Sequence, residues 1–340
     1  MMRRALSRLY GAAAWRRRRW YACRPEERRQ LRRPVISVGA LSVGGSGKTP
    51  LTAHLARLLL AMGERPAVLS RGYGRDDAVD GVVVVREAGR IVGRLSTAGD
   101  EPWMLARSLD GVSVVVSPDR YLAGRLAEMH LGATVHLLDD GFQHLPLARG
   151  TDLLVVSPTD LEAAVLPIGP LRERLSTARC ADAVVVVGAN ARQRGAVAER
   201  LSLSRCFGAR RRLGAALVRA PRVKPGEVAP GTPVFAVAGI ARPERFFDDI
   251  RDAGFMLRGA RAFRDHHPYS PRDSARLQDA ARSVGAQVIL TTEKDWVRLE
   301  SMLPLALPVA TVALALEVEP ADAFRVFLAE RLAAERSNAA

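Results

Sequence analysis

Apolar runs and polar loops alternate in a regular way over residues 34–75. Residues Pro34–Leu41 are mostly apolar, partly β-branched and bounded by proline, which predicts a short buried strand. Beyond a glycine-rich loop, apolar residues recur at helical spacing, at Leu51, Leu55, Leu58, Leu59 and Met62. Gly63 follows them, where a helix commonly ends. Pro66–Ser70 predicts a second strand. The order strand, glycine loop, helix, strand is typical of a nucleotide-binding α/β unit.

Further strand-like runs predict two lobes. Residues 133–138 and 184–187 extend the first sheet, whereas residues 235–239, 288–292 and 309–316, with a helix from near Pro243, predict a second α/β lobe. Residues 220–233 are rich in proline and glycine and predict a linker. We therefore expect a P-loop lobe at 34–219 and a smaller C-terminal lobe at 234–330 that closes the active-site cleft.

Charge is concentrated at the N-terminus. Residues 1–33 contain twelve arginines and two glutamates, so they carry +10 of the net charge of +15. A local basic cluster of this kind indicates an anionic partner, either nucleic acid or an acidic lipid surface. The three cysteines are widely spaced and form no CxxC pair, which argues against a disulfide framework or zinc site and favours a reducing compartment.

The same segment does not have the pattern of a membrane span. Its longest uncharged stretch, Leu9–Trp15, has seven residues, and a spanning helix needs about 20. Four arginines follow that stretch, which a cleaved signal peptide would not have. Leu6, Leu9, Tyr10 and Ala13 follow helical spacing, so we expect residues 1–33 to form an amphipathic helix at a membrane interface. A solvated basic tail is the simpler alternative, and nucleic-acid binding is a third.

The glycine loop has the composition of a phosphate-binding loop. Glycines let backbone N–H groups approach phosphate oxygens, a lysine supplies a mobile positive charge, and a threonine supplies a hydroxyl to Mg²⁺. The sequence departs from GxxxxGK[ST] because serine occupies the first glycine position. A glycine-rich turn with an incidental Lys-Thr pair is the alternative. The predicted nucleotide-binding residues are Ser42, Val43, Gly44, Gly45, Ser46, Gly47, Lys48 and Thr49.

Carboxylates mark three further positions. Asp139 and Asp140 end the strand-like run at 133–138, where a P-loop fold places a metal ligand, although an Asp-Gly turn is the structural alternative. Asp100 lies in a polar turn, and His266 lies in the run Asp-His-His-Pro-Tyr. An aspartate, or an aspartate with a histidine, can accept the proton of an attacking hydroxyl. Taken singly, each residue is more typical of an ordinary role, a turn aspartate or a histidine with satisfied hydrogen bonds.

The order of several motifs resembles the tetraacyldisaccharide 4′-kinase family. The resemblance covers residues 6–300, and its motifs are VGALSVGGSGKTP (38–50), LSRGYGR (69–75), GDEPWMLA (99–106), LDDGFQH (138–144), LPIGPLRE (166–173), VAGIARPERFF (237–247), FRDHHPY (263–269) and LTTEKDWVRL (290–299). The departures are modest: Ala40, Ser46 and Ile168 replace residues common in the family, and none of them removes a catalytic group.

This resemblance implies a fold, a reaction and site residues. The fold is an α/β P-loop lobe with a smaller C-terminal α/β lobe and an N-terminal amphipathic helix. The reaction transfers the γ-phosphoryl group of ATP, with Mg²⁺, to the 4′-hydroxyl of a tetraacylated glucosamine disaccharide 1-phosphate, the lipid A precursor. The catalytic residues are Asp100, His266, Asp139 and Asp140; the metal-proximal ones are Thr49, Asp139, Asp140, Gln143 and Glu173; the substrate candidates are Tyr73, Arg71, Arg75 and Arg172.

A lipid substrate also determines the expected location. We expect a monomer that docks peripherally through residues 1–33 on the cytoplasmic face of the inner membrane of a Gram-negative bacterium, without binding nucleic acid. Two other classes stay open. One is a P-loop ATPase or GTPase switch, although Glu293-Lys294-Asp295 fits a guanine-reading element poorly. The other is a soluble small-molecule kinase with a disordered basic tail.

Overall fold

The chain forms two compact units. The computed structural model describes residues 2–73, 75, 77, 80–219, 226–302 and 306–339. The first unit consists of Met1–Arg210 and Leu316–Ala340, and the second of Arg211–Ala315. The α-helices of the described ranges are α1 (Met2–Ala22), α2 (Lys48–Ala61), α3 (Leu95–Ala98), α4 (Asp100–Ser108), α5 (Arg120–His130), α6 (Ala191–Leu201), α7 (Pro243–Asp252), α8 (Pro271–Ser283), α9 (Glu293–Leu299) and α10 (Ala321–Ala339).

A ten-stranded sheet organises the first unit. Its strands are β1 (Val35–Ala40), β2 (Pro66–Ser70), β3 (Val83–Glu87), β4 (Arg90–Ile91), β5 (Ser113–Val116), β6 (Val135–Asp139), β7 (Thr151–Val156), β8 (Ala183–Val187), β9 (Cys206–Leu213) and β15 (Leu314–Glu319). The strand order is β15-β9-β8-β7-β1-β6-β2-β5-β3-β4, and the pairs from β9 to β5 are parallel. Because helices cover a parallel sheet, its central strands are buried on both faces.

A five-stranded sheet organises the second unit. It consists of β10 (Leu217–Arg219), β11 (Pro233–Ala238), β12 (Met256–Ala262), β13 (Val288–Thr292) and β14 (Val309–Val312), in the order β10-β14-β13-β11-β12. Only β10 is antiparallel to its neighbour in this sheet. The predicted strands at residues 235–239 and 288–292 and the predicted helix from Pro243 are confirmed.

Strand β1 lies between β7 and β6 at the centre of the larger sheet. Helix α2 follows it and buries Leu51, Leu55 and Leu59 in the main hydrophobic core, which confirms the predicted helical face. Since β1 and β6 are parallel neighbours, their carboxyl ends lie at the same edge of the sheet. Ligands of open α/β sheets bind at this edge, so the topology brings the glycine loop and the acid pair together.

The division into units differs from the predicted one. The chain leaves the first unit within β9 and returns within β15, so the predicted run at 309–316 is two strands with a break at Ala313. Helix α10 belongs to the first unit, because Phe324, Phe327, Leu328 and Leu332 are buried in its core. The prediction that residues up to 330 complete the second lobe is therefore wrong.

The predicted linker at 220–233 also needs correction. Residues 220–225 lie outside the described residues. Residues 226–233 lie within the second unit, where Glu227 forms a bridge with Leu217 and β11 begins at Pro233. Pro230 and Gly231 therefore form a turn within the smaller unit, and the boundary falls at Arg210 instead.

The predicted N-terminal helix is confirmed as α1. Its exposed side chains include Leu6, Leu9, Tyr10, Trp15 and Trp20. None of the helices in the described ranges is both long enough and apolar enough to cross a membrane.

Candidate active site

The glycine loop connects β1 to α2 and has a backbone that only glycine adopts readily. Gly44, Gly45 and Gly47 have φ values of 67°, 43° and 95°. Gly47 is also the N-cap residue of α2, so the first amides of the helix point into the loop. The Val43 N–H donates to the Pro170 carbonyl at 2.9 Å, which holds the loop against the LPIGPLRE segment.

The end of β6 lies beside this loop. The Thr49 hydroxyl donates to Asp139 Oδ2 at 3.4 Å, and the Thr52 hydroxyl donates to Asp139 Oδ1 at 3.0 Å. Lys48 Nζ lies 3.6 Å from Asp140 Oδ1 and 3.2 Å from Ser46 Oγ. The structure thus brings together the lysine, threonine and aspartates that the sequence predicted.

Asp139 lies in an environment that opposes ionisation. Burial and the negative charges of Glu101 and Asp140 raise its pKa to about 7. Glu101 follows Asp100 in α4, and the sequence analysis did not select it, although it was the second carboxylate of the same polar turn. A cluster of carboxylates at this edge would bind a cation or the positive charges of a ligand complex.

A buried arginine lies close to the same acids. Arg120, at the start of α5, is only 6% exposed. Burial and the charge of Arg71 lower its pKa to about 10, against the opposing effect of Asp140 and Asp139. Arg71 was predicted from the sequence, whereas Arg120 was missed because no motif surrounds it. A positive group held among carboxylates at a phosphate-binding edge is suited to an anionic ligand.

Asp100 is the first residue of α4 and is 3% exposed. A Cβ on the preceding Gly99 would lie 2.7 Å from the Tyr73 carbonyl, so the RGYGR and GDEP segments are in close contact. Tyr73 itself is 75% exposed. The Arg75 side chain lies between Gly72 and Gly99, and its buried Nη1 has no hydrogen-bond partner among the described residues. The structure therefore places two predicted substrate residues beside Asp100.

Arg172 connects two of the motifs. Its Nη1 donates to both oxygens of Asp140, at 2.9 and 2.8 Å, and lies 3.4 Å from Gln143 Oε1. The Gln143 amide donates to the Ala40 carbonyl at 3.1 Å. These contacts attach the LPIGPLRE segment to the acid pair and to the end of β1.

Glu173 has a different partner from the one predicted. Its two carboxylate oxygens accept hydrogen bonds from Nε and Nη2 of Arg18, each at 2.8 Å. The ion pair is buried, with Arg18 8% and Glu173 5% exposed. Both oxygens accept from this arginine in the structure, and the role of Glu173 near the metal stays a prediction. The sequence analysis treated Arg18 as one of a block of surface arginines and missed this role.

Oxygen donors for Mg²⁺ are present at the end of β6. The Thr49 hydroxyl and the Asp139 carboxylate are hard donors of the kind that Mg²⁺ prefers, with Asp140 adjacent. The described residues contain no group of three or more His, Cys, Asp and Glu side chains that could hold a metal. Mg²⁺ usually takes one or two carboxylates and completes its shell with water and phosphate oxygens.

His266 belongs to the second unit, whereas Asp100 belongs to the first. It has φ of 58°, and its Nε2 lies 3.2 Å from Lys294 Nζ. Lys294 donates to Asp265 at 3.0 Å. The FRDHHPY and TTEKD motifs therefore meet within this unit.

The Asp295 carboxylate connects three segments of the second unit through hydrogen bonds. Its carboxylate accepts hydrogen bonds from the Gly239 N–H at 2.9 Å, the Tyr269 hydroxyl at 2.9 Å and the Thr292 hydroxyl at 2.7 Å. Burial raises its pKa in spite of these donors. The VAGIARPERFF motif, which contains Gly239, is thus connected to the other two motifs, which the sequence could not reveal.

The glycine loop and the acid pair at neighbouring carboxyl ends of a parallel sheet define a P-loop nucleotide-binding protein of the phosphotransferase type. A family model described as Tetraacyldisaccharide-1-P 4'-kinase matches residues 1–333. The chain belongs to this family.

Individual relatives agree with this assignment. The tetraacyldisaccharide 4'-kinase of Geobacter sulfurreducens is 42% identical over 319 residues, which cover 92% of this chain and 88% of that protein. The namesake from Koribacter versatilis is 36% identical over 324 residues, 94% of this chain and 95% of that protein. A crystal structure of the "apo" form of LpxK from Aquifex aeolicus in complex with ATP is 30% identical, with a TM-score of 0.75 over 98% of this chain and 100% of that chain. The predicted family and α/β fold class are confirmed.

Proposed function

We propose that this chain transfers the γ-phosphoryl group of ATP to the 4′-hydroxyl of a tetraacylated glucosamine disaccharide 1-phosphate, the lipid A precursor. The observation that carries the proposal is the contact of Lys48 and Thr49 with Asp140 and Asp139, in a chain matched by the family model over residues 1–333. Phosphoryl transfer depends on positioning and on charge stabilisation, and this edge of the sheet supplies the groups for both.

The nucleotide would bind along the glycine loop. Backbone amides of residues 44–47 would donate to phosphate oxygens, and Lys48 would neutralise charge on the β- and γ-phosphates. Thr49 and Asp139 would hold Mg²⁺, with Asp140 and Gln143 nearby, and the bound ion would neutralise negative charge on the phosphates. Arg172 stands next to Asp140, where a guanidinium can move between the carboxylate and an anionic substrate.

The acceptor hydroxyl must lose a proton as it attacks. We assign the proton acceptor to Asp100, because it is a buried carboxylate beside the substrate candidates Tyr73 and Arg75. Arg71, near Arg120, completes the set of substrate candidates on this unit. His266 of the second unit is the other catalytic candidate, with its ring held next to Lys294.

A lipid acceptor requires access to a membrane. We propose that the exposed face of α1, with Leu6, Leu9, Tyr10 and Trp15 among its arginines, docks a monomer peripherally on the anionic cytoplasmic face of the inner membrane of a Gram-negative bacterium. Apolar side chains would enter the headgroup region while arginines pair with lipid phosphates. We expect no nucleic-acid partner.

The reaction is tested directly in detergent micelles. The purified protein is incubated with Mg²⁺, γ-labelled ATP and the tetraacylated disaccharide 1-phosphate, beside Lys48→Ala and the control Arg57→Ala. Arg57 is an exposed arginine of the same helix. We expect label in the lipid, reduced about 10²–10³-fold by Lys48→Ala and unchanged by Arg57→Ala. ATP hydrolysis without lipid labelling would overturn the proposal in favour of a switch-type ATPase.

Membrane docking has its own test. Leu6→Ser/Leu9→Ser is compared with Leu122→Ser, an exposed leucine of α5, in sedimentation with anionic vesicles. The double variant should be recovered less with the vesicles, and recovery of the wild type should fall as salt rises. Equal, salt-insensitive recovery of all three proteins would contradict docking through α1.

A further inference from the structure

Helix α1 has a second face that packs against the first unit. The Ser7 hydroxyl donates to the Val165 carbonyl at 2.8 Å, and Arg17 donates to the Gln143 carbonyl at 3.0 Å. Arg18 donates to the Phe142 carbonyl at 3.0 Å, in addition to its paired bonds to Glu173. The helix is therefore bound to the two motifs that also hold the acid pair.

We infer that Arg18, through Glu173 and the Phe142 carbonyl, is a positioning residue that fixes Arg172 and Asp140 for phosphoryl transfer; this rests on the proposed function. The N-terminal helix is then part of the catalytic apparatus as well as a membrane contact.

Arg18 and Glu173 form a buried ion pair through two hydrogen bonds. An arginine fork on a carboxylate is directional as well as strong, and this one is almost completely buried. The Arg18 guanidinium also lies 4.3 Å from the centroid of the Phe142 ring, a fully buried side chain. Three separate contacts thus fix the guanidinium.

Glu173 is connected to Asp140 through Arg172. Glu173 follows Arg172 in the chain. The Arg172 backbone N–H donates to the Leu41 carbonyl at 2.6 Å, and its guanidinium donates to the Asp140 carboxylate. The Phe142 carbonyl, the other acceptor for Arg18, lies two residues after Asp140. Arg18 therefore holds both segments that meet in the Arg172–Asp140 contact.

Asp140 has a backbone conformation that is uncommon for a residue other than glycine. Its φ of 54° lies in the left-handed region, which a non-glycine residue keeps only when its surroundings hold it there. Without the Arg18 fork, Glu173 would be a buried carboxylate without its partner and would move toward water or another cation. Such a shift would carry Arg172 with it and release Asp140, which stands 3.6 Å from Lys48.

The test compares two substitutions in the same run of arginines. Arg18→Gln and Arg19→Gln each remove one positive charge from α1, but only Arg18 has the buried fork; Arg19 lies over the Trp15 ring. In saturating ATP and micellar lipid, we expect kcat of Arg18→Gln about 10²-fold below that of Arg19→Gln, since small displacements of reacting groups cost this much. Recovery with anionic vesicles should be similar for the two variants.

A second readout does not depend on activity. Backbone hydrogen–deuterium exchange of the full-length protein, without nucleotide, should speed up over residues 138–144 and 166–174 in Arg18→Gln and not in Arg19→Gln. Arg18→Lys, which keeps the charge but not the fork, should remain folded and show the same faster exchange and a lowered kcat. It therefore provides the test if Arg18→Gln fails to fold.

The pair Arg18→Gln/Glu173→Gln separates positioning from stability. Removing both charges should recover thermal stability lost by the single change, while kcat stays low. Recovery of kcat together with stability, or equal kcat and equal exchange for the Arg18 and Arg19 variants, would overturn the inference. Absence of lipid phosphorylation in the wild type would instead refute the proposed function, and the exchange experiment would still decide whether Arg18 holds the loop.

Discussion

The buried carboxylates at the two ends of the central strand β1 have different neighbours. At its carboxyl end, burial and the negative charges of Glu101 and Asp140 raise the pKa of Asp139, while burial and the charge of Arg71 lower the pKa of Arg120. At its amino end, Glu335 of α10 accepts hydrogen bonds from the Val35 N–H at 3.0 Å and the Thr151 hydroxyl at 3.1 Å. At the carboxyl end the charges of Asp139, Asp140 and Glu101 repel one another, although Asp140 also pairs with Lys48 and Arg172. At the amino end Glu335 accepts hydrogen bonds from two donors.

Helix α10 makes the amino end a complete network. Arg331 donates to the Gly150 carbonyl and forms an ion pair with Asp182 at 3.0 Å. Arg336 binds both oxygens of Glu64, each at 2.7 Å. The contacts at the amino end of β1 thus stabilise the fold, whereas carboxylates lie close together at its carboxyl end. Strain of this kind concentrates at functional sites, and the remainder of the fold must offset it.

The largest effect is expected at the carboxyl end, from Asp100→Asn. This substitution keeps the size of the side chain but removes the proposed proton acceptor, so kcat should fall about 10²–10⁴-fold. The Michaelis constant for ATP should change little, because a base acts on the acceptor and not on the nucleotide. Steady-state kinetics with ATP varied at saturating lipid measure both. A normal kcat with a raised Michaelis constant for ATP would contradict the assignment.

Asp139→Asn tests whether function and stability oppose each other. Loss of the proposed metal ligand should lower lipid phosphorylation about 10²-fold or more. The fold should not suffer: the folded pKa of about 7 lies above that of the unfolded chain, so the folded state loses stability as pH rises to 7. At pH 8 the ionised carboxylate therefore destabilises the fold, and asparagine removes this cost.

Thermal unfolding at pH 8, without added Mg²⁺ or nucleotide, measures that second effect. The melting temperature of Asp139→Asn should equal or exceed that of the wild type. A drop of several degrees would show that the carboxylate is needed for folding, and the contrast between the two ends of β1 would fail.

The carboxyl end of β1 was also the more predictable one. The glycine loop, the acid pair and α2 follow from local patterns, since a phosphate-binding loop needs glycines and a Lys-Thr pair within a few residues. Glu101, Arg120 and the Arg18–Glu173 pair were missed because tertiary contacts create them; the last joins residues 155 positions apart. No local signal distinguishes Arg18 from the three arginines beside it.

The amino end was missed for the same reason. Glu335 and Val35 are 300 positions apart, and the pattern of α10 does not show which sheet it covers. Its apolar residues fit either unit, and only the packing against Phe207 decides between them. Sequence patterns therefore predicted the elements and the phosphate site, while the assignment of the C-terminus needed the structure.

Glu335→Ala should show the reverse of Asp139→Asn. Burial raises the pKa of Glu335, as it raises that of Asp139, but the substitution leaves the Val35 N–H and the Thr151 hydroxyl without their acceptor, so unfolding should become easier by about 1–3 kcal/mol. At a temperature where both proteins are folded, kcat should equal that of the wild type. Urea unfolding and the micelle assay measure the two quantities, with the exposed Glu330→Ala on the same helix as control. A large loss of kcat without a loss of stability would place the amino end in the reaction.

The smallest effect concerns His144, in the loop that follows β6. Burial and the positive charges of Arg120 and Arg149 lower its pKa to about 3. In the unfolded chain histidine titrates at its ordinary pKa of about 6.5. Between these values the unfolded chain binds more protons than the folded protein, so stability is present above pH 6.5 and is lost as the pH falls.

His144→Asn removes this titration, so the wild type should lose more stability than the variant between pH 7 and pH 5. The difference should stay below about 1.4 kcal/mol per pH unit, because the ring is partly exposed and solvent screens its charge. Urea unfolding at pH 7, 6 and 5 measures it, and substitution of the exposed His130 by asparagine should follow the wild type. Equal pH slopes for the wild type and His144→Asn would mean that the ring accepts a proton in the folded protein. Burial and the charges of Arg120 and Arg149 would then lower the pKa of His144 less than the structure implies.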